Sequence, residues 1–279
     1  MKVYISVDME GVAGVTVGEQ TFAGEREYER FRRLMTAEAS AAVEGALAAG
    51  ATEVIVNDSH GSMTNVLIEE LHPAAKLISG CNKHLLQMEG IDQDFTAVMF
   101  IGYHQREGGG DGILSHTLRG GLVYEVRVQG RPVDEAAINA GIAGAFGVPV
   151  ALIAGDDAVC RDVQELLPGV LSVPVKTAIN RFTALSMTPE RARGLIRTQA
   201  EEAVRTAAAG RLRPYQVAGP VRFEVDFKNT SPAMMSTILP GVERIGPRSI
   251  ALESDDYLSA FKLFWASLIV GASVFQGKL

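Results

Sequence analysis

The opening stretch MKVYISVDMEG constrains the fold more than any other part of the chain. Val3, Ile5 and Val7 recur with a period of two, which predicts a strand, and the run ends on Asp8, Glu10 and Gly11. Residues i and i+2 of a strand share a face, so the carboxylates of Asp8 and Glu10 are expected to converge just past its end. Crowded carboxylates repel and favour strands poorly, and a divalent cation is the economical way to offset them. Acidic turns after strands are common, so the pattern gains weight only if other strands end in matching ligand types.

Further compact apolar runs follow at TEVIVN (52–57), AKLISG (75–80), TAVMFIG (96–102), VPVALIAG (148–155) and SVPVKTAI (172–179). Helical patterns separate them, at about 27–49 with Phe31, Met35, Ala39, Val43 and Leu47 on one face, near 65–71, and at 135–146 behind a capping Asp134. This alternation predicts an α/β fold, a mostly parallel sheet flanked by helices through right-handed crossovers, with its site at the strand C-terminal ends. Ile113 to Val128 reads as two extended segments joined near Gly120 and Gly121. Thr188-Pro189 starts a helix running to about Ala209, and VRFEVDF (221–227), a short helix, two short strands and a buried helix from about Asp255 to Phe275 complete the chain. The expected division is a metal-binding catalytic domain over 1–185 and a smaller C-terminal α+β subdomain over 186–279, with a soft boundary.

The bulk numbers narrow the function classes. A net charge of −7, with Arg26, Arg30, Arg32 and Arg33 interleaved with glutamates, leaves no basic stripe for a nucleic-acid partner. The apolar segment from Phe261 to Phe275 contains Lys262 and is too short to span a bilayer, so no membrane partner is expected. Cys81 and Cys160 are far apart, without a CxxC spacing, and the N-terminus lacks a signal-peptide core. The expected location is the cytoplasm. A phosphate-cradling GxxxxGK[ST] loop and a GxGxxG after the first strand are both absent, which counts against phosphoester hydrolysis and a dinucleotide cofactor.

Two of the five histidines stand at strand exits: His60 closes the loop after the second strand and His104 follows Gly102-Tyr103. With Asp8 and Glu10 they bring two imidazoles and two carboxylates to one sheet edge, ligand types suited to zinc rather than to calcium or magnesium. If one carboxylate bridges, such a set holds two metals, but the ligand count then asks for another acid.

The motifs VDMEG (7–11), NDSH (57–60), LISG (77–80), GYH (102–104), SH (115–116) and RPVDE (131–135) occur in the order and rough spacing of the zinc-dependent D-aminopeptidases. The chain resembles that family to about residue 190 and more weakly beyond. The resemblance implies two zinc ions per subunit, with Asp8 as bridging carboxylate, Glu10 and His60 completing one site, and His104 and Glu135 the other. It implies that His116 is catalytic and not a ligand, although Ser115 and Thr117 beside it also suit an ordinary sheet residue. Read alone, Glu135 is a first-turn glutamate complementing a helix dipole. His72 and His84 match no ligand position, and Asp58 suits either a partner for an imidazole or a turn former. The glycine-rich Glu107–Asp111 loop departs from the family pattern.

The implied function is metal-assisted hydrolysis that removes N-terminal D-residues from short peptides, in a homo-oligomer, a decamer in the family. Two alternatives stay open. The same zinc pair would serve L-amino-terminal peptides or other amides, and a non-enzymatic zinc-binding protein would use the ligands without His116.

Overall fold

The computed structural model describes residues 1–274. The first half contains β1 (Lys2–Val7), α1 (Tyr28–Ala48), β2 (Glu53–Asp58), β3 (Ala75–Ile78), β4 (Ala97–Tyr103), β5 (Val123–Val128), β6 (Arg131–Pro132) and α2 (Glu135–Ala145). The second half contains β7 (Val150–Asp156), α3 (Asp157–Leu166), β8 (Leu171–Asn180), β9 (Thr183–Ser186), α4 (Pro189–Ala208), β10 (Val221–Phe227), α5 (Thr230–Ser236), β11 (Val242–Gly246), β12 (Ser249–Ser254) and α6 (Tyr257–Ala272). The buried helix expected from about Asp255 to Phe275 is α6, although Phe275 lies outside the described residues.

One sheet has the order β3-β2-β1-β4-β7-β8-β9 and the other β11-β12-β10-β5-β6. Every pairing in the first is parallel except that of β8 with β9, and the second is antiparallel throughout. Helices α1 and α4 cover one face of the parallel sheet, where Val3, Ile5 and Val7 meet Phe31, Met35 and Ile196. On the opposite face Tyr4, Phe100 and Tyr103 join a core that continues through α2 and α3 into the antiparallel sheet and α6, where Phe223 stacks on Phe264. After β1 the chain moves to β2 on one side and returns through β4 on the other, so the order reverses between β1 and β4. That reversal leaves a crevice at the strand C-terminal ends.

Two expected elements take another form. Residues 65–71 are turns rather than a helix. The buried Asp58 carboxylate accepts the amides of Asn65 at 2.5 Å and Val66 at 2.6 Å, giving the backbone partners that a helix would otherwise supply. Residues 113–121 form a loop, not the first of two extended segments. Leu114 and Leu118 have positive φ there, and the Leu118 amide is used by Glu135 at 2.7 Å instead of by a strand neighbour.

The end of β1 is held to two other strands. Asp8 N–H donates to Ile101 O and Gly11 N–H to Gly102 O, both at 2.8 Å. Gly102 has φ +73°, and a Cβ there would lie 2.2 Å from Asp8 O, so only glycine permits this approach. From β8, the buried Lys176 ammonium donates to the carbonyls of Glu10 at 2.5 Å and of Val12 and Val15 at 2.8 Å. Burial pulls its pKa down to about 8. Replacing Lys176 with Met strands three carbonyls in a dry interior and is expected to cost about 3 kcal/mol in urea unfolding. Gly102→Ala is expected to cost roughly 2 kcal/mol or more in the same measurement. A loss under about 0.5 kcal/mol, the range of surface substitutions, would show that these ties do not hold the β1 exit.

Candidate active site

Asp8, Glu10, His60, His104 and Glu135 meet at the crevice, and all five are buried. Asp8 and His104 come directly off β1 and β4, His60 lies two residues beyond β2, and Glu135 is the first residue of α2. Asp134 caps that helix by accepting the Ala137 amide at 2.6 Å, which aims Glu135 at the strand ends.

The two oxygens of Asp8 address different imidazoles. Oδ1 lies 3.2 Å from His60 Nδ1 and Oδ2 lies 3.5 Å from His104 Nε2. His60 Nδ1 is also 2.9 Å from Glu10 Oε2, while His104 Nε2 is 3.7 Å from Glu135 Oε1. The remaining nitrogen of each ring is committed to backbone: His60 Nε2–H donates to Thr21 O and His104 Nδ1–H to Gln105 O, both at 2.9 Å. In the neutral rings this leaves a bare lone pair on His60 Nδ1 and on His104 Nε2, each turned toward carboxylate oxygens.

Lone pairs and carboxylates facing one another need a positive charge between them. Glu10 Oε2 and His104 Nε2 are buried without a hydrogen-bond partner among the described residues. Ligand atoms from Asp8, Glu10 and His104 lie within 4.8 Å of one another, as do those from His104, His116 and Glu135. Nitrogen and carboxylate donors at this spacing fit zinc. The electrostatics agree. Burial, then the Glu10 charge, raises Asp8 to about 7. Burial alone would depress His104 and His60, yet the surrounding acids lift His104 to about 9 and His60 well above its ordinary value.

His116 lies in the 113–121 loop, stacked on His104 with ring centroids 4.3 Å apart. Its Nδ1–H donates to Leu114 O at 2.9 Å, and Nε2 is 3.9 Å from Glu135 Oε1. Burial, reinforced by the neighbouring His104, keeps its pKa below the usual histidine value. His72 and His84 are elsewhere: His72 accepts the Ala74 amide and His84 is exposed. Asp58 bonds backbone amides and the Asn65 side chain, not an imidazole.

Sequence reasoning passed over the polar network beneath the acids. Gln87 Nε2 donates to Glu135 Oε2, and its Oε1 accepts from Asn139 Nδ2 at 2.6 Å. Asn139 also donates to Tyr103 OH at 2.9 Å, which pairs with Ser6 Oγ at 2.7 Å. The available signal was polarity out of place, with Ser6 inside an apolar strand, Asn139 inside the Ala- and Ile-rich α2, and Lys176 inside VPVKTAI. The cluster floors a cavity of about 690 Å³, a volume suited to a small molecule.

Known proteins resemble the chain over nearly its whole length. A family model for M55 peptidases, described as D-aminopeptidase, matches residues 1–266. A D-aminopeptidase of Bacillus subtilis (strain 168) is 36% identical over 266 residues, 94% of each chain. Among solved structures, the Zn-dependent D-aminopeptidase DppA from Bacillus subtilis, described as a self-compartmentalizing protease, is similar with a TM-score of 0.92. That match has 34% sequence identity and covers 99% of both chains. A family model matched over this length and a relative of this identity place the chain in the M55 peptidase family, the D-aminopeptidases.

Proposed function

We propose that this protein is a zinc-dependent D-aminopeptidase that removes N-terminal D-residues from short peptides, with two zinc ions per subunit. Asp8, Glu10 and His60 would hold one ion, and Asp8, His104 and Glu135 the other. The observation that carries the reading is Asp8 dividing its two oxygens between two imidazoles. Each imidazole has its other nitrogen tied to a carbonyl.

Bound zinc supplies a hydroxide near neutral pH and polarises the scissile carbonyl. The chain's own groups do the rest. The buried acids Asp8, Glu10 and Glu135 attract the α-ammonium of a peptide to the cavity floor, which favours cleavage at the N-terminal bond. His116, held in one tautomer by Leu114 O, presents Nε2 beside Glu135. Its depressed pKa leaves that nitrogen able to take up a proton and deliver it to the departing amine. A purely structural zinc centre is closed by protein ligands, whereas this cluster floors an accessible cavity, which favours an enzyme over a zinc-binding module.

The Bacillus subtilis relative is described as self-compartmentalizing, and we extend a homo-oligomer, as a decamer, to this chain. No helix among the described residues is long and apolar enough to cross a membrane. Cys81 and Cys160 are both free thiols, in keeping with the cytoplasm as the proposed compartment.

Elemental analysis is expected to find two zinc ions per subunit, and chelation to abolish cleavage of D-alanyl peptides while matched L-alanyl peptides remain poor substrates throughout. Full activity after metal removal would overturn the metal mechanism, and equal turnover of the two series the stereochemical assignment. His116→Ala is expected to keep its zinc and lose about 10²- to 10⁴-fold in kcat. Unchanged turnover would remove the proton-transfer role.

A further inference from the structure

The cavity has an anionic floor and a cationic wall. Arg119 and Arg181 line it together with Trp265 and Phe182, as do the acids Asp8, Glu10 and Glu135. The two arginines are used differently. Arg181 donates to Ser115 O at 2.9 Å, leans toward Glu107 at 3.8 Å, and accepts the Leu114 amide on its own carbonyl at 2.9 Å. It therefore buttresses the loop that carries His116.

Arg119 has no such duty. Among the described residues its guanidinium makes no hydrogen bond and has no carboxylate within 4.0 Å, although its backbone is fixed. Its N–H donates to Thr117 O at 2.7 Å and its carbonyl accepts the amides of Leu122 and Val123 at 2.8 and 2.9 Å. The guanidinium lies over the Trp265 ring, 5.7 Å from its centroid, which limits where an otherwise mobile side chain can point. Its position relative to the acids is also set. The preceding residue, Leu118, donates its amide to Glu135 Oε1 at 2.7 Å, so the Arg119 backbone begins about 3.8 Å, one Cα step, beyond a residue that touches the cluster.

We propose that Arg119 is the subsite for the C-terminal α-carboxylate of the substrate, so that this site selects short peptides with both ends free. This rests on the aminopeptidase reading above and adds to it a reader for the far end of the peptide. An extended chain spans at most ~3.6 Å per residue, so a peptide anchored by its ammonium over the acids brings its carboxylate to the Arg119 wall only if it is short. Guanidinium pairs with carboxylate through two parallel N–H···O bonds, a geometry a C-terminal amide cannot reproduce.

The test is steady-state kinetics of the zinc-loaded protein on D-alanyl-D-alanine and its C-terminal amide, with the wild type and Arg119→Met. The wild type is expected to show a KM on the order of 10-fold lower for the free acid, with similar kcat for both. In Arg119→Met the KM for the acid should rise to that of the amide, while the amide's own constants stay within about twofold. Equal KM values in the wild type would overturn the subsite and leave the aminopeptidase reading standing. So would a variant that weakens acid and amide alike, since that marks lost packing on Trp265. Failure of the wild type to cleave either compound would overturn the aminopeptidase reading and the subsite with it.

Discussion

Three carboxylates, those of Asp8, Glu10 and Glu135, are buried at one sheet edge, and their mutual repulsion has to be offset for the chain to close there. Removing isolated charges from water costs several kcal/mol per ion, so each acid needs donors and the group needs positive charge. Donors come from the Met9 amide to Asp8, and from the Leu118 amide and the Gln87 side chain to Glu135. Positive charge comes from His60 and His104, whose pKa values the acids raise, and from Lys176, buried under the Glu10 loop. A bound dication would meet the same need more completely, in line with the zinc dependence of the Bacillus subtilis relative.

The strand ends provide the rigidity that such a cluster requires. Asp8, His60 and His104 leave neighbouring parallel strands whose register is fixed on both sides of β1. Beneath them, the Gln87, Asn139, Tyr103 and Ser6 network satisfies each buried polar group with another. A network of this kind restricts the ligands to one arrangement, because moving any member breaks bonds that water cannot replace.

Legibility from sequence followed the range of the interaction. Strand runs, the α1 apolar face and the Asp134 cap are local, and TEVIVN, TAVMFIG and the start of α2 were readable for that reason. The gathering of Asp8, Glu10, His60 and His104 was readable as well, because parallel topology brings consecutive strand exits to one edge. Residues 65–71 and 113–121 were misread because their backbone partners are side chains, Asp58 and Glu135, which no periodicity reports. Lys176 lies 166 positions from Glu10, and its role is visible only once β8 is seen in the same sheet as β1. The hairpin strand β9 was missed for a related reason: Leu185 is exposed there, so no burial pattern marks it as a strand.

Floor and wall of the cavity obey different constraints. The floor is built from strand exits and the first residue of a helix, all buried, where a change in one side chain disturbs charge balance and hydrogen bonding together. The wall takes Arg119 from the 113–121 loop, Phe182 from the β8–β9 turn and Trp265 from α6, three segments distant in sequence. Phe182 is 55% exposed, and the Arg119 side chain is free of ion pairs among the described residues, so neither is needed to hold the floor in place. Substitutions in the wall can therefore alter which peptide fits without altering the group that would hold the metals. Catalytic chemistry and substrate selection are separable in this fold because one depends on the sheet and the other on what the loops and α6 place above it.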